Sequence, residues 1–174
     1  MQPVAILYIE IELKIQAMET TRETAQKINH KETVKGLQDL LKINYDSREG
    51  FKEVMLKSEN PALTNYLKGR AALHSAFSTE LSNVLLSLNA TPAKKGTASG
   101  VIHRTWIDVK TVVTGRYAET LLEECIRGEK AIVDEYKEAL TGKNFAPDIE
   151  MLLNNQLSYI ASTLSEVKTL EDMV

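Results

Sequence analysis

The chain has 174 residues, 43% of them apolar and 26% charged, which is enough for one domain with a sizeable core. Its net charge of −3, with basic residues scattered along the chain, gives no electrostatic case for a nucleic-acid surface, so no nucleic-acid partner is expected. One cysteine, Cys125, excludes an internal disulfide and a thiolate metal cluster and fits a cytoplasmic location.

Gly and Pro are sparse, at 8 and 4, which favours long helices over a many-turned β fold. The apolar runs fall short of the roughly 20 residues needed to span a bilayer, so no membrane insertion is expected. The N-terminus lacks the basic start of a secretory signal.

In chain order, the first pattern is an anomaly. Ile9, Ile11, Leu13 and Ile15 alternate with Glu10, Glu12 and Lys14, a strand period in an otherwise helical chain. A lone strand cannot satisfy its own backbone groups. Residues 1–30 are therefore expected to be a flexible extension, with Met18 an alternative start. The domain proper is expected over 31–174.

A helix is predicted from Thr33 to Lys57, carrying Leu37, Leu41, Phe51 and Met55. Asn60 can cap a second helix and Pro61 suits its first turn. That helix runs through Leu63, Leu67, Phe77, Leu81 and Leu88 and ends at Ala90-Thr91-Pro92. After a Lys-Lys-Gly-Thr-Ala-Ser-Gly loop, a shorter helix is predicted over Ser99–Val113, with Trp106 as its packing anchor. A further long helix covers Tyr117–Leu140, with an apolar stripe of Leu121, Leu122, Cys125, Ile132 and Tyr136, and stops at Thr141-Gly142. The last starts at Pro147-Asp148 and carries Ile149, Leu153, Ile160 and Leu164.

The connections set the expected topology. The first and last long pairs are joined by short turns, so each is an antiparallel hairpin. Between them lie about 25 residues, enough to traverse a bundle and leave the second and third long helices parallel. The fold class expected is all-α: a ferritin-like antiparallel four-helix bundle with a long crossover that contains a short helix.

Each apolar stripe is interrupted by polar residues: Asn44 and Arg48, then Arg70 and His74, then Glu129, then Gln156. Folding the hairpins about their turns puts these at one level. A mid-bundle polar layer of Asn44, Arg48, Arg70, His74, Glu129 and Gln156 follows as the candidate binding site. A buried charge must be paired, so Glu129 calls for Arg48 or Arg70. Taken singly each residue is ordinary: a core histidine, an arginine that snorkels, a solvated glutamate.

A di-iron centre in such a bundle needs a Glu from each of two helices and Glu-x-x-His from each of the others. The chain has no Glu-x-x-His: Lys27, Ala71 and Gly100 stand three residues before His30, His74 and His103. No di-iron site and no cofactor are expected. The remaining metal candidates are Glu129 and His74, with Glu80 or Glu124, as a single-ion site. No phosphate loop, nucleophile elbow or zinc spacing is present.

Several segments resemble a bacterial family of ferritin-like four-helix-bundle proteins of unknown function, over Lys35 to Asp172. They are Leu40-Leu41-Lys42-Ile43-Asn44-Tyr45-Asp46 with Gly50-Phe51, and Ser99-Gly100-Val101-Ile102-His103-Arg104-Thr105-Trp106-Ile107-Asp108-Val109-Lys110. Leu122-Glu123-Glu124-Cys125-Ile126-Arg127-Gly128-Glu129, Tyr136 and the stretch from Leu152 to Ile160 complete the set. The resemblance implies a ferritin relative with a lost or altered metal site and carries no activity over. The expected role is non-enzymatic, stress-related binding or interaction, with a homodimer or another protein as partner. The alternative expectations are a metal-binding or redox protein with a non-standard site, and a binder of a small ligand in the mid-bundle layer.

Overall fold

The computed structural model describes residues 3–97, 117–169 and 172. All the regular elements among them are helices, four of them long: α1 over Pro3–Lys57, α2 over Pro61–Ser87, α3 over Tyr117–Gly142 and α4 over Pro147–Glu166. None is long and apolar enough to cross a membrane.

The largest departure from the sequence reading is the start of α1. The alternating Ile9–Ile15 segment is not a strand and is continuous with the helix that follows; α1 is a single helix of 55 residues. The physical reason is in the intervening sequence. No Gly or Pro stands between Val4 and Lys35 to stop a helix. A helix also satisfies its own backbone groups, which a strand without a neighbour cannot do. Burial begins only at Thr33, and residues 9–32 are all exposed.

From Leu37 onward α1 buries one face: Leu37, Leu40, Leu41, Asn44, Ser47, Phe51 and Val54. A three-residue link turns the chain into α2. There Asn60 Oδ1 accepts from the Leu63 amide at 2.9 Å, and Pro61 occupies the first helical position, where no amide is needed. α2 ends in a left-handed cap. Asn89 has φ 57°, and the amides of Asn89 and Ala90 reach back to the carbonyls of Leu86 and Leu85.

After this cap the chain doubles back along α1. The Gln38 side chain donates to Thr91 O at 2.7 Å and accepts from the Ala93 amide at 2.9 Å. Two turns further along α1, Asp46 accepts from the amide and the hydroxyl of Thr97. Gly96 lies so close to the Asp46 carboxylate that a Cβ there would collide with it. The crossover thus travels back toward the end of the bundle where α2 began. The expected short helix at Ser99–Val113, with Trp106, lies outside the described residues.

α3 runs against α1, since Lys143 at its end faces Glu32 and Tyr136 faces Asn44. It therefore runs parallel to α2. α4 then runs back against α3, joining it through Gln156 and Tyr136. The four helices enclose a core that includes Leu67, Phe77, Leu81, Leu121, Cys125, Ile132, Leu153 and Ile160.

The left-handed cap supplies a test. Asn89→Val should cost about 1–2 kcal/mol in denaturant unfolding, the penalty for a branched side chain in that region, while Asn89→Gly should cost nothing measurable.

Candidate functional site

Four helices each bring polar side chains to the middle of the core. Asn44 comes from α1, Arg70 and His74 from α2, Glu129 and Tyr136 from α3, and Gln156 from α4; all are buried. The spacing from Arg70 to His74 is one helical turn, so both side chains face the same neighbours.

The centre is an ion pair. Arg70 Nε lies 2.7 Å from Glu129 Oε1 and Arg70 Nη2 lies 2.6 Å from Oε2, a two-pronged arrangement that occupies both carboxylate oxygens. The remaining Arg70 nitrogen donates to Thr163 Oγ1 at 3.1 Å, tying α4 to the pair. The side chains of Arg70 and Glu129 are 5% and 0% exposed, so solvent screens this pair little. Burial alone would push the Glu129 carboxyl up; the hydrogen bonds and charges of His74 and Arg70 outweigh it and hold the carboxyl below its ordinary value.

His74 stands between this pair and the rest of the layer. Its ring stacks on Phe51, with centroids 5.5 Å apart, and meets Phe77 edge-on at 6.1 Å. Nδ1 lies 2.8 Å from Asn44 Oδ1 and Nε2 lies 3.3 Å from Glu129 Oε1. The orientation of the Asn44 amide is fixed from outside. Its nitrogen lies 2.8 Å from the Leu40 carbonyl oxygen, which can only accept, so Oδ1 must turn to the imidazole. His74 Nδ1 therefore carries a hydrogen, and a second proton on Nε2 turns the Glu129 contact into a charge-assisted bond.

From Asn44 the bonds run on in one direction. Asn44 Nδ2 donates to Tyr136 Oη at 2.8 Å, and the Tyr136 hydroxyl donates to Gln156 Oε1 at 2.8 Å. Gln156 Nε2 donates to Glu80 Oε2 at 2.7 Å. Each link donates toward the next, so the chain leads from the buried imidazole to a carboxylate on the exposed side of α2. Burial pushes the Tyr136 phenol up, which keeps it a neutral donor.

Two of the predicted residues stand elsewhere. Arg48 is not in the layer. It sits one position round from the inward line of Asn44, Ser47 and Phe51, and its stem turns outward. Its guanidinium binds the adjacent Glu49 at 2.7 Å and lies 5.1 Å over the Tyr45 ring. Glu124 faces Arg127 on the outside of α3 and is one turn too early to reach the layer. Glu80 enters it only through Gln156. Tyr136, which sequence reasoning assigned to the apolar stripe, is the link between three helices. The signal available was its position: seven residues after Glu129, it sits on the same face of α3.

As a metal centre these residues fit poorly. Glu129 already spends both oxygens on Arg70, and a fixed guanidinium repels a cation. Among the described residues no three His, Cys, Asp or Glu side chains are grouped to hold a metal ion. Cys125 is buried beside the layer, and desolvation pushes its thiol up, away from the nucleophilic thiolate.

The family model described as a domain of unknown function, DUF2383, matches residues 32–142, and the chain belongs to that family. The match opens beside Thr33, where burial along α1 begins. No curated protein matches the chain.

Two outcomes follow. Tyr136→Phe leaves Gln156 Oε1 and one Asn44 hydrogen without partners, and should cost about 1–3 kcal/mol in chemical unfolding. Because the folded Glu129 carboxyl is held low, its stabilisation is present above the ordinary glutamate range and is lost as pH falls through the folded value. Glu129→Gln should therefore lower stability at neutral pH and flatten the acid limb of a stability-against-pH curve.

Proposed function

We propose that this DUF2383 member is a ferritin-like bundle that acts without catalysis, as a binding or interaction module working through its surface. In this reading the mid-bundle layer of Asn44, Arg70, His74, Glu129, Tyr136 and Gln156 is a structural lock. It occupies the position in the bundle where a di-iron protein of this architecture places its metal ligands.

The observation that carries the reading is the guanidinium of Arg70 on both oxygens of Glu129. A metal ligand needs free lone pairs and an uncharged or anionic neighbourhood. Here the carboxylate is spent, a fixed cation stands beside it, and the adjacent histidine packs between two phenylalanines. The remaining polar atoms pair with one another, so the layer offers a substrate no open donor or acceptor that points at a common spot.

Elemental analysis of the native protein, purified without chelator, tests this. The expected result is no stoichiometric iron, manganese or zinc. One metal per chain that disappears in Glu129→Gln would overturn the reading.

A further inference from the structure

The exposed first part of α1 is helical yet adds no side chain to the core. Residues 9–32 extend roughly 36 Å at the standard helical rise, and every side chain along them faces solvent. Most helical stability in proteins comes from packing one face against something else, which this segment lacks, so it calls for a partner.

Its sequence specifies which. Ile11, Met18 and Ala25 recur every seven residues, flanked on one side by Ile15 and on the other by the line Lys14, Thr21 and Ile28. Ile11 is 47% exposed, Met18 72% and Ile28 59%, values that belong to a contact face left open. A polar flank carries Glu12, Gln16, Glu19, Glu23 and His30, and Ile9 and Leu13 stand on the side opposite Ile11. Charge is divided along one flank of this contact face. The line Glu10, Ala17, Thr24 and Lys31 is acidic at its start and basic at its end.

We infer that this segment is a self-association seam, in which a second copy of the chain docks antiparallel about a two-fold axis near residues 19 and 20. Ile11 of one copy then meets Ile28 of the other, Met18 approaches Thr21, and Glu10 comes beside Lys31. A parallel pairing would instead set Glu10 on Glu10 and Lys31 on Lys31. The antiparallel arrangement also places the two bundles at opposite ends of the rod, where they do not collide, and the two-fold makes the interface self-complementary. This deepens the surface-acting reading above by naming its partner. The two can fail separately, because one is read from metal content and the other from mass.

The test is sedimentation equilibrium on the full chain, from one to several hundred micromolar. A monomer–dimer equilibrium is expected. Ile11→Asp with Ile28→Asp should weaken it more than tenfold with circular dichroism of the bundle retained, since neither residue contributes to the core. Glu10→Lys alone should weaken it by roughly threefold to tenfold at low salt, and Glu10→Lys with Lys31→Glu should restore it. Under mild oxidation Met18→Cys should cross-link to its own copy. Ile11→Cys should not, because the two positions would lie roughly 25 Å apart in the antiparallel pair. A chain that stays monomeric throughout would overturn the inference. So would a dimer indifferent to the aspartates or to the charge exchange, or cross-linking at position 11 as efficient as at position 18.

Discussion

The buried ion pair between Arg70 and Glu129 is the constraint around which the rest of the core is arranged. Two charges taken out of water cost several kcal/mol each unless geometry and further hydrogen bonds compensate. Here the guanidinium and the carboxylate meet on two prongs, Thr163 takes another Arg70 nitrogen, and His74 stands at the carboxylate's remaining side. Each of those partners comes with a helix attached. Satisfying one pair thereby fixes the height of α2 against α3 and of α4 against both.

The same logic explains the direction of the bonds beyond His74. A single backbone carbonyl, that of Leu40, orients the Asn44 amide, and that amide decides which imidazole nitrogen carries hydrogen. Tyr136 and Gln156 then have one consistent way to pair, ending on Glu80 at the surface. A core of leucines could slide by a turn at modest cost. A chain of directional bonds through four helices cannot, because a shifted helix strands several buried donors and acceptors together. Register specification is thus a physical role for polar residues in an otherwise apolar bundle.

Much of this was legible in the sequence, for identifiable reasons. The helical period in the stripes, the Asn60-Pro61 start and the Thr141-Gly142 end marked α2 and α3 closely, because caps and breakers act locally. The interruptions at Asn44, Arg70, His74, Glu129 and Gln156 stood out because buried stripes rarely contain such residues. Arg48 was misplaced because one helical position, a rotation of about 100°, separates an inward from a flanking direction, and a long flexible side chain follows the water. Tyr136 was missed as a polar link because a tyrosine ring reads as apolar until its hydroxyl partner is known. The Ile9–Ile15 alternation misled because period two is informative only where a sheet exists to receive it.

The central claim is that the Arg70–Glu129 pair is a structural lock, and a double-mutant cycle tests it most directly. Arg70→Met, Glu129→Leu and the combined variant would be compared with the parent by denaturant unfolding at neutral pH. The account predicts that Arg70→Met alone costs about 3–5 kcal/mol, because it leaves a buried carboxylate unpaired, and that adding Glu129→Leu recovers most of the loss. Single variants that each leave stability unchanged, or whose effects simply add, would contradict it.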